Sequence, residues 1–219
     1  RRPLHIQRSY AANLKNTAFF AKKRHYNSSL EMALEGGEIP TSVYTNLIDT
    51  VHEHMDLMHR YVSLRKKALK AEELHMYDLY ADQDNGFDIS LDVEEAFKTF
   101  LEAVAPLGED YVEAASHALP DRWIDVYETK NKRSGAYCCG SAYWTTPYVL
   151  LNHKNTYDGL STLCHEMGHA MHSYYSNKTQ PYIKSNYTIF VAEVASTCNE
   201  ILLAEHLRKK YEGHRSAQI

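Results

Sequence analysis

Hydrophobic residues along this chain recur mostly at three- and four-residue intervals, the spacing that lines up one face of an α-helix. From His5 to about Lys23 the stripe is Tyr10, Leu14, Thr17 and Ala21. Ser28, with Glu31 three residues on, predicts a capped short helix closed at Gly36 and Gly37. Thr41 opens what reads as one long helix, with Tyr44, Leu47, Ile48, Val51, Met55, Met58 and Val62 on a single stripe and its methionines filling core. Ser90 opens the next, turning Val93, Ala96, Phe97 and Phe100 inward. Gly108 precedes another, through Tyr111, Val112 and Ala115, which stops by Pro120.

The pattern changes at Gly135. The segments 135–143 and 148–151 are short and rich in glycine, aromatic and β-branched residues, and Thr145-Thr146-Pro147 joins them, so they predict a small antiparallel ribbon. Helical spacing then returns. Thr156 is the expected N-cap and Asp158 a favourable first-turn charge for a helix running to about Tyr175. A polar loop from Ser176 to Asn186 leads into a second helical stretch around Thr188–Thr197. We therefore expect a mainly α fold, with residues 1–134 helical and residues 135–219 holding the ribbon and two further helices, all within one domain.

Composition supports a folded chain: 44% of the 219 residues are hydrophobic and 24% charged. With 24 basic against 28 acidic residues the net charge is −4, which leaves no basic footprint for nucleic acid or an anionic membrane. A small-molecule or peptide partner fits better. No apolar run approaches the roughly twenty residues that span a bilayer, and the opening Arg1-Arg2-Pro3-Leu4-His5 is no secretory signal, so we expect a soluble, cytoplasmic protein. Cys138 and Cys139 are adjacent, and Cys164 and Cys198 stand within helical stretches, which is no disulfide framework. The chain begins without methionine inside a helical pattern, and we expect a piece of a longer protein.

The chemistry concentrates in Thr162-Leu163-Cys164-His165-Glu166-Met167-Gly168-His169-Ala170-Met171-His172. Two histidines four apart on a helix lie one above the other, so His165 and His169 can offer imidazoles to one metal ion. Glu166, beside the first of them, is placed to take a proton from a metal-bound water rather than to bind the metal. A catalytic zinc site needs a third protein ligand and an open fourth position. Glu193 meets that need from the second helical stretch, with 23 residues separating it from His169, the alternative being a solvated helix glutamate. Gly168 weakens a helix interior by up to roughly 1 kcal/mol against alanine, so we expect tight packing there. His172 falls a turn past His169, as a packing or supporting group. Glu200 stands on the Glu193 face, placed to hydrogen-bond a ligand histidine from behind.

Other clusters carry less. His52, His54 and His59 offer at most one pair on a shared face, two turns apart, and are not read as a metal site. Asp82 to Asp88 alternates like a calcium loop but has Val93 where the closing glutamate belongs, so it reads as a polar connector. Tyr182 and Tyr187 are placed to line a cleft and receive no role.

His165-Glu166-Met167-Gly168-His169 with His172, followed by Phe190-Val191-Ala192-Glu193-Val194-Ala195-Ser196, resembles the thimet-oligopeptidase-like metallopeptidases, most closely their oligoendopeptidase F branch. Pro120 to Glu128, Lys132 to Cys138 and Pro147 to Asn152 are similar to that branch too. The resemblance implies a zincin-like helical catalytic domain around a deep cleft, with one Zn2+ per chain and cleavage of internal bonds in short peptides. It also strengthens Gly135, Ala136 and Tyr137 as substrate-binding residues, since glycine at a strand margin lets an extended peptide pair with the strand edge. It further implies a downstream histidine and tyrosines, for which no counterpart follows Glu193. The rival from another class is a non-catalytic helical scaffold whose metal site is structural or empty. A second enzyme reading is an aminopeptidase or carboxypeptidase on the same zinc chemistry.

Overall fold

A computed structural model describes residues 2–81, 89–140 and 142–211. The chain divides into two compact units, Arg1–Gln83 and Asp84–Ile219. The proposed connector at Asp82–Asp88 lies outside the described residues.

Among the described residues the first unit holds four α-helices, α1 (Arg2–Lys23), α2 (Ser29–Glu35), α3 (Thr41–Glu53) and α4 (Met55–Ala68), followed by a short 3-10 helix at Met76–Tyr80. The cap on α2 forms as expected, with Ser28 Oγ accepting from the Glu31 amide at 3.0 Å. The Glu31 carboxylate reaches back to the amide of Asn27 instead of Ser28, at 2.7 Å. The stripe expected on one long helix is split between two. His54 leaves helical geometry at φ −105°, ψ 14°, and the chain restarts at Met55. Nor are Met55 and Met58 core filler: neither α3 nor α4 has a buried residue. Periodicity grouped these apolar residues along the chain but carried no information about what packs on them.

The second unit carries the core. Helix α5 (Val93–Ala103) is capped by Asp92, not Ser90 as the sequence suggested, through a 2.9 Å bond from the Glu95 amide to the Asp92 carboxylate. Helix α6 is Glu109–Ser116, α7 is Tyr157–Thr179 and α8 is Ile189–Lys210. Thr156 caps α7 as expected, accepting from the Gly159 amide at 3.2 Å, and the helix runs four residues past Tyr175. Three short strands, β1 (Ile124–Asp125), β2 (Tyr137–Cys139) and β3 (Tyr148–Leu150), form a sheet of order β1-β3-β2. β2 and β3 make the expected antiparallel ribbon, with Cys138 opposite Val149. The parallel partner β1, pairing Ile124 with Val149, adds a strand the sequence did not suggest.

Helix α7 is the centre of this unit, packed on α5, α6, α8, β2 and β3. Leu160, Leu163, Met167 and Met171 recur along it at three- and four-residue steps and are essentially inaccessible, together with Phe100 from α5, Val149 and Leu151 from the sheet region, and Leu203 and Leu207 from α8. Each such side chain contributes about 1.5–3 kcal/mol by leaving water. Because α7 is buried on so many sides, the residues on its remaining face are held rigidly. That face carries the histidine pair.

Candidate metal centre

His165 and His169 project from one face of α7, and Glu193 approaches them from the first turns of α8. The two imidazole Nε2 atoms lie 3.2 Å apart. One Glu193 oxygen, Oε2, is 3.4 Å from the first and 3.3 Å from the second. For a tetrahedral zinc with bonds of roughly 2.0–2.1 Å, neighbouring donors stand about 3.3–3.4 Å apart, so the three atoms already form one face of such a tetrahedron. Among the described residues these three side chains are the group able to share a metal ion. A structural zinc site is normally closed by four protein ligands, and three with an open position is the catalytic pattern.

The geometry rests on how closely α7 and α8 approach. A Cβ at Gly168 would lie 2.6 Å from the Ser196 Cα and 2.8 Å from the Ala195 carbonyl oxygen, so only glycine allows this contact, as the sequence led us to expect. Ser196, fully buried, donates its hydroxyl to Glu193 Oε2 at 2.8 Å and aims that carboxylate. The same bond is the main reason the Glu193 carboxyl is held below the usual carboxylate range, with smaller help from the two histidines. One turn further along α8, buried Asn199 donates to the Cys164 carbonyl at 3.2 Å while the Cys164 thiol points at the Asn199 carbonyl at 3.4 Å. That reciprocal pair fixes the register of the two helices immediately before His165 and Glu200. The thiol thus faces α8 rather than the metal triangle, and burial raises its pKa.

Glu200 stands where the sequence placed it. Its carboxylate shares a short hydrogen bond with His165 Nδ1, which leaves Nε2 turned toward the triangle. Burial lowers the pKa of His169, which favours the neutral imidazole that can bind a cation, against a rise from Glu193. His172 is not one of the converging donors. It stacks on Tyr187, ring centres 3.7 Å apart and 9° from parallel, and burial lowers its pKa as well.

Glu166 is 7% exposed, and its Oε2 atom is buried with no hydrogen-bond partner among the described residues. Burial raises its pKa above the usual carboxylate range, against a lowering by His165 and with a smaller rise from Glu193. With His165, Glu200, Ala136, Ser161 and Thr162 it lines a 380 Å³ concavity. Among the described residues the sheet order leaves β2 at an edge, with β3 beside it. Tyr137 is in that strand and Ala136 leads into it, lining the same concavity as Glu166. Gly135 has a φ of +87°, a region that disfavours a side chain, and its carbonyl accepts from Asn152 at 2.8 Å. The structure thus brings Ala136 to the concavity, while Gly135 and Tyr137 flank it.

Two contributors escaped the sequence reading. Ser196 lies three residues after Glu193, and helical i,i+3 spacing is the signal that would have found it. Asn199 gave none, because its partners are 35 and 88 residues away.

The family model described as Peptidase family M3 matches residues 4–219. Oligopeptidase PepF of Bacillus subtilis is 47% identical over 205 residues, covering 94% of this chain and 30% of that protein. Group B oligopeptidase PepB of Streptococcus agalactiae is 44% identical over 215 residues, covering 96% of this chain and 35% of that protein. This chain therefore spans about a third of the length of the curated relatives it matches. Among solved structures, a chain described as a peptidase from Chlamydophila abortus superposes with a TM-score of 0.76 at 41% identity, covering 94% of this chain and 35% of that one. The oligoendopeptidase-F of Enterococcus faecium does so at 0.54 and 35%, covering 89% and 26%.

Proposed function

The chain belongs to peptidase family M3, and from that membership we propose that it carries the metal-binding part of a zinc endopeptidase that cleaves internal bonds of short peptides. One observation supports this above the rest. Three donor atoms stand at the spacing of a zinc tetrahedron's face, with a buried carboxylate that has no role in holding them.

In this reading His165, His169 and Glu193 hold the metal, and Glu200 and Ser196 hold His165 and Glu193 in turn. Zinc held there would supply a Lewis acid and would lower the pKa of water beside it from 15.7 towards about 7. Glu166 is the general base. Its buried carboxylate takes the proton from the attacking water and returns it to the departing amine, so no acyl-enzyme forms. The rise in its pKa suits both halves of the task, since a base poised nearer neutrality also gives its proton back. Ala136, flanked by Gly135 and Tyr137, offers backbone at the start of edge strand β2, where an extended peptide would add as a further strand.

Two names among the relatives, oligopeptidase and oligoendopeptidase, support short peptides and internal bonds as the substrate class. Among the described residues no helix is long and apolar enough to cross a membrane. The test is Glu166→Gln in the intact protein, assayed on a blocked, internally quenched peptide. We expect one zinc per chain to remain while hydrolysis falls by at least a hundredfold. Turnover within tenfold of the unaltered enzyme would remove Glu166 from this role. Activity only on peptides with a free terminus would instead favour an aminopeptidase or carboxypeptidase.

A further inference from the structure

The concavity at Glu166 does not end there. Ala136 and Thr162 are shared with a second, larger cavity of 450 Å³. It is bounded by the 128–136 loop, the segment that follows β3 and the first turns of α7. We propose that this cavity receives the second to fourth residues on the C-terminal side of the cleaved bond and favours a basic side chain there. The proposal rests on the reading of Glu166 as the base.

Direction follows from the proton path. Glu166 must hand its proton to the amine that leaves, so the amine side of the cleaved bond faces Glu166 and the chain beyond it continues away from the metal on that side. Thr162 lies four residues before Glu166 on α7 and Asp158 eight before, which is about 6 and 12 Å along the helix at ~1.5 Å per residue. An extended peptide advances roughly 3.3 Å per residue, so that interval spans two to four of its residues.

Preference follows from the unspent charges of the lining. Lys132 is not one of them: its side chain is 4% exposed and its ammonium is held by the carbonyls of Asp125 and Tyr127, at 3.1 and 2.7 Å, and by the Asp125 carboxylate at 3.2 Å. Glu128, Asp158 and Lys154 have no hydrogen bond or ion pair through their side chains among the described residues, which leaves two carboxylates against one ammonium. Asp158 is partly offset by the amides of the first turn of α7, so Glu128 is the stronger determinant. His153, which also lines the cavity, is 9% exposed, and neither ring nitrogen has a partner among the described residues. Buried polar atoms without partners are exceptional, and a bound peptide's polar groups would supply one.

The test uses the intact protein and blocked, quenched peptides carrying Arg, Leu or Glu at the second, third or fourth position after the cut, with cleavage sites read by mass spectrometry. A control series varies the matching positions before the cut. We expect kcat/KM to favour Arg over Glu by roughly twofold to thirtyfold at one or more of the positions after the cut, the range for two exposed charge pairs. Glu128→Lys, an exposed loop change that breaks no contact, should abolish or invert that preference and leave the control series unmoved. Asp158→Asn should weaken it. Unchanged selectivity in Glu128→Lys, or a shift confined to the control series, overturns the proposal while leaving the peptidase reading intact. Absence of zinc-dependent cleavage by the unaltered protein overturns both.

Discussion

Replacing Gly168 with alanine puts the helix contact beneath the metal triangle to the test. The added methyl would start 2.6 Å from the Ser196 Cα, and reaching the ~3.5 Å at which carbons ordinarily touch needs about 0.9 Å of withdrawal. The other two near atoms, at 2.8 and 2.9 Å, are also α8 backbone, so no side chain can swing aside and α8 itself must move. Overpacking of this kind costs about 1–3 kcal/mol, while alanine's better helix propensity returns at most about 1 kcal/mol, so a net loss of roughly 1–2 kcal/mol is expected. For a chain of this size that lowers Tm by about 2–8 °C. Zinc affinity should suffer more, because metal sites tolerate about 0.2 Å and Glu193 rides on the helix that moves. We expect Kd to rise by roughly tenfold to a hundredfold, measured by competition with a zinc-binding dye, with Tm from thermal melts of the chelated protein. An unchanged Kd together with an equal or higher Tm would show that α7 and α8 do not meet as described.

Other outcomes follow from the same geometry. Glu200→Ala removes the partner of His165 Nδ1 and should weaken zinc binding by about tenfold to a hundredfold, read by the same competition titration, while Glu200→Gln should restore part of it. Ser196→Ala leaves the fold intact but frees the Glu193 carboxylate, so the chelated protein should lose about 1 kcal/mol in a denaturant melt and bind zinc less tightly. His172 has a folded pKa below its ordinary 6.5, so the unfolded chain binds more protons in that interval and stability falls as pH drops below about 6.5. His172→Phe, which keeps a ring against Tyr187, should therefore flatten the decline of chelated-protein stability between pH 7 and 5. A decline of the same slope would refute that assignment. Phe100→Ala in the α5 core should cost about 3–5 kcal/mol by denaturant titration.

What the sequence disclosed depends on the distance over which each feature is decided. The His165–His169 pair is set by four residues of helix, so it was legible without any tertiary information. Glu193 needed only a second helix returning within reach, and Gly168 betrayed a close contact because it weakens a helix interior. The break at His54 was hidden, since the apolar stripe continues through it unchanged. A two-residue strand such as β1 has no period to detect, and its partner lies 25 residues away. Asn199 is the clearest case. A buried asparagine joining α7, α8 and Tyr111 depends on three distant segments, and nothing local distinguishes it from a solvated helix residue.

X-ray absorption at the zinc edge of the intact protein reads the ligands of the metal triangle themselves. One zinc per chain is expected, with nitrogen and oxygen neighbours at about 2.0–2.1 Å that include two imidazoles, and loss of the bound metal in Glu193→Ala. Sulfur neighbours at about 2.3 Å would place the metal on cysteine instead, and a protein that takes up no zinc would leave the triangle of His165, His169 and Glu193 without the role assigned to it.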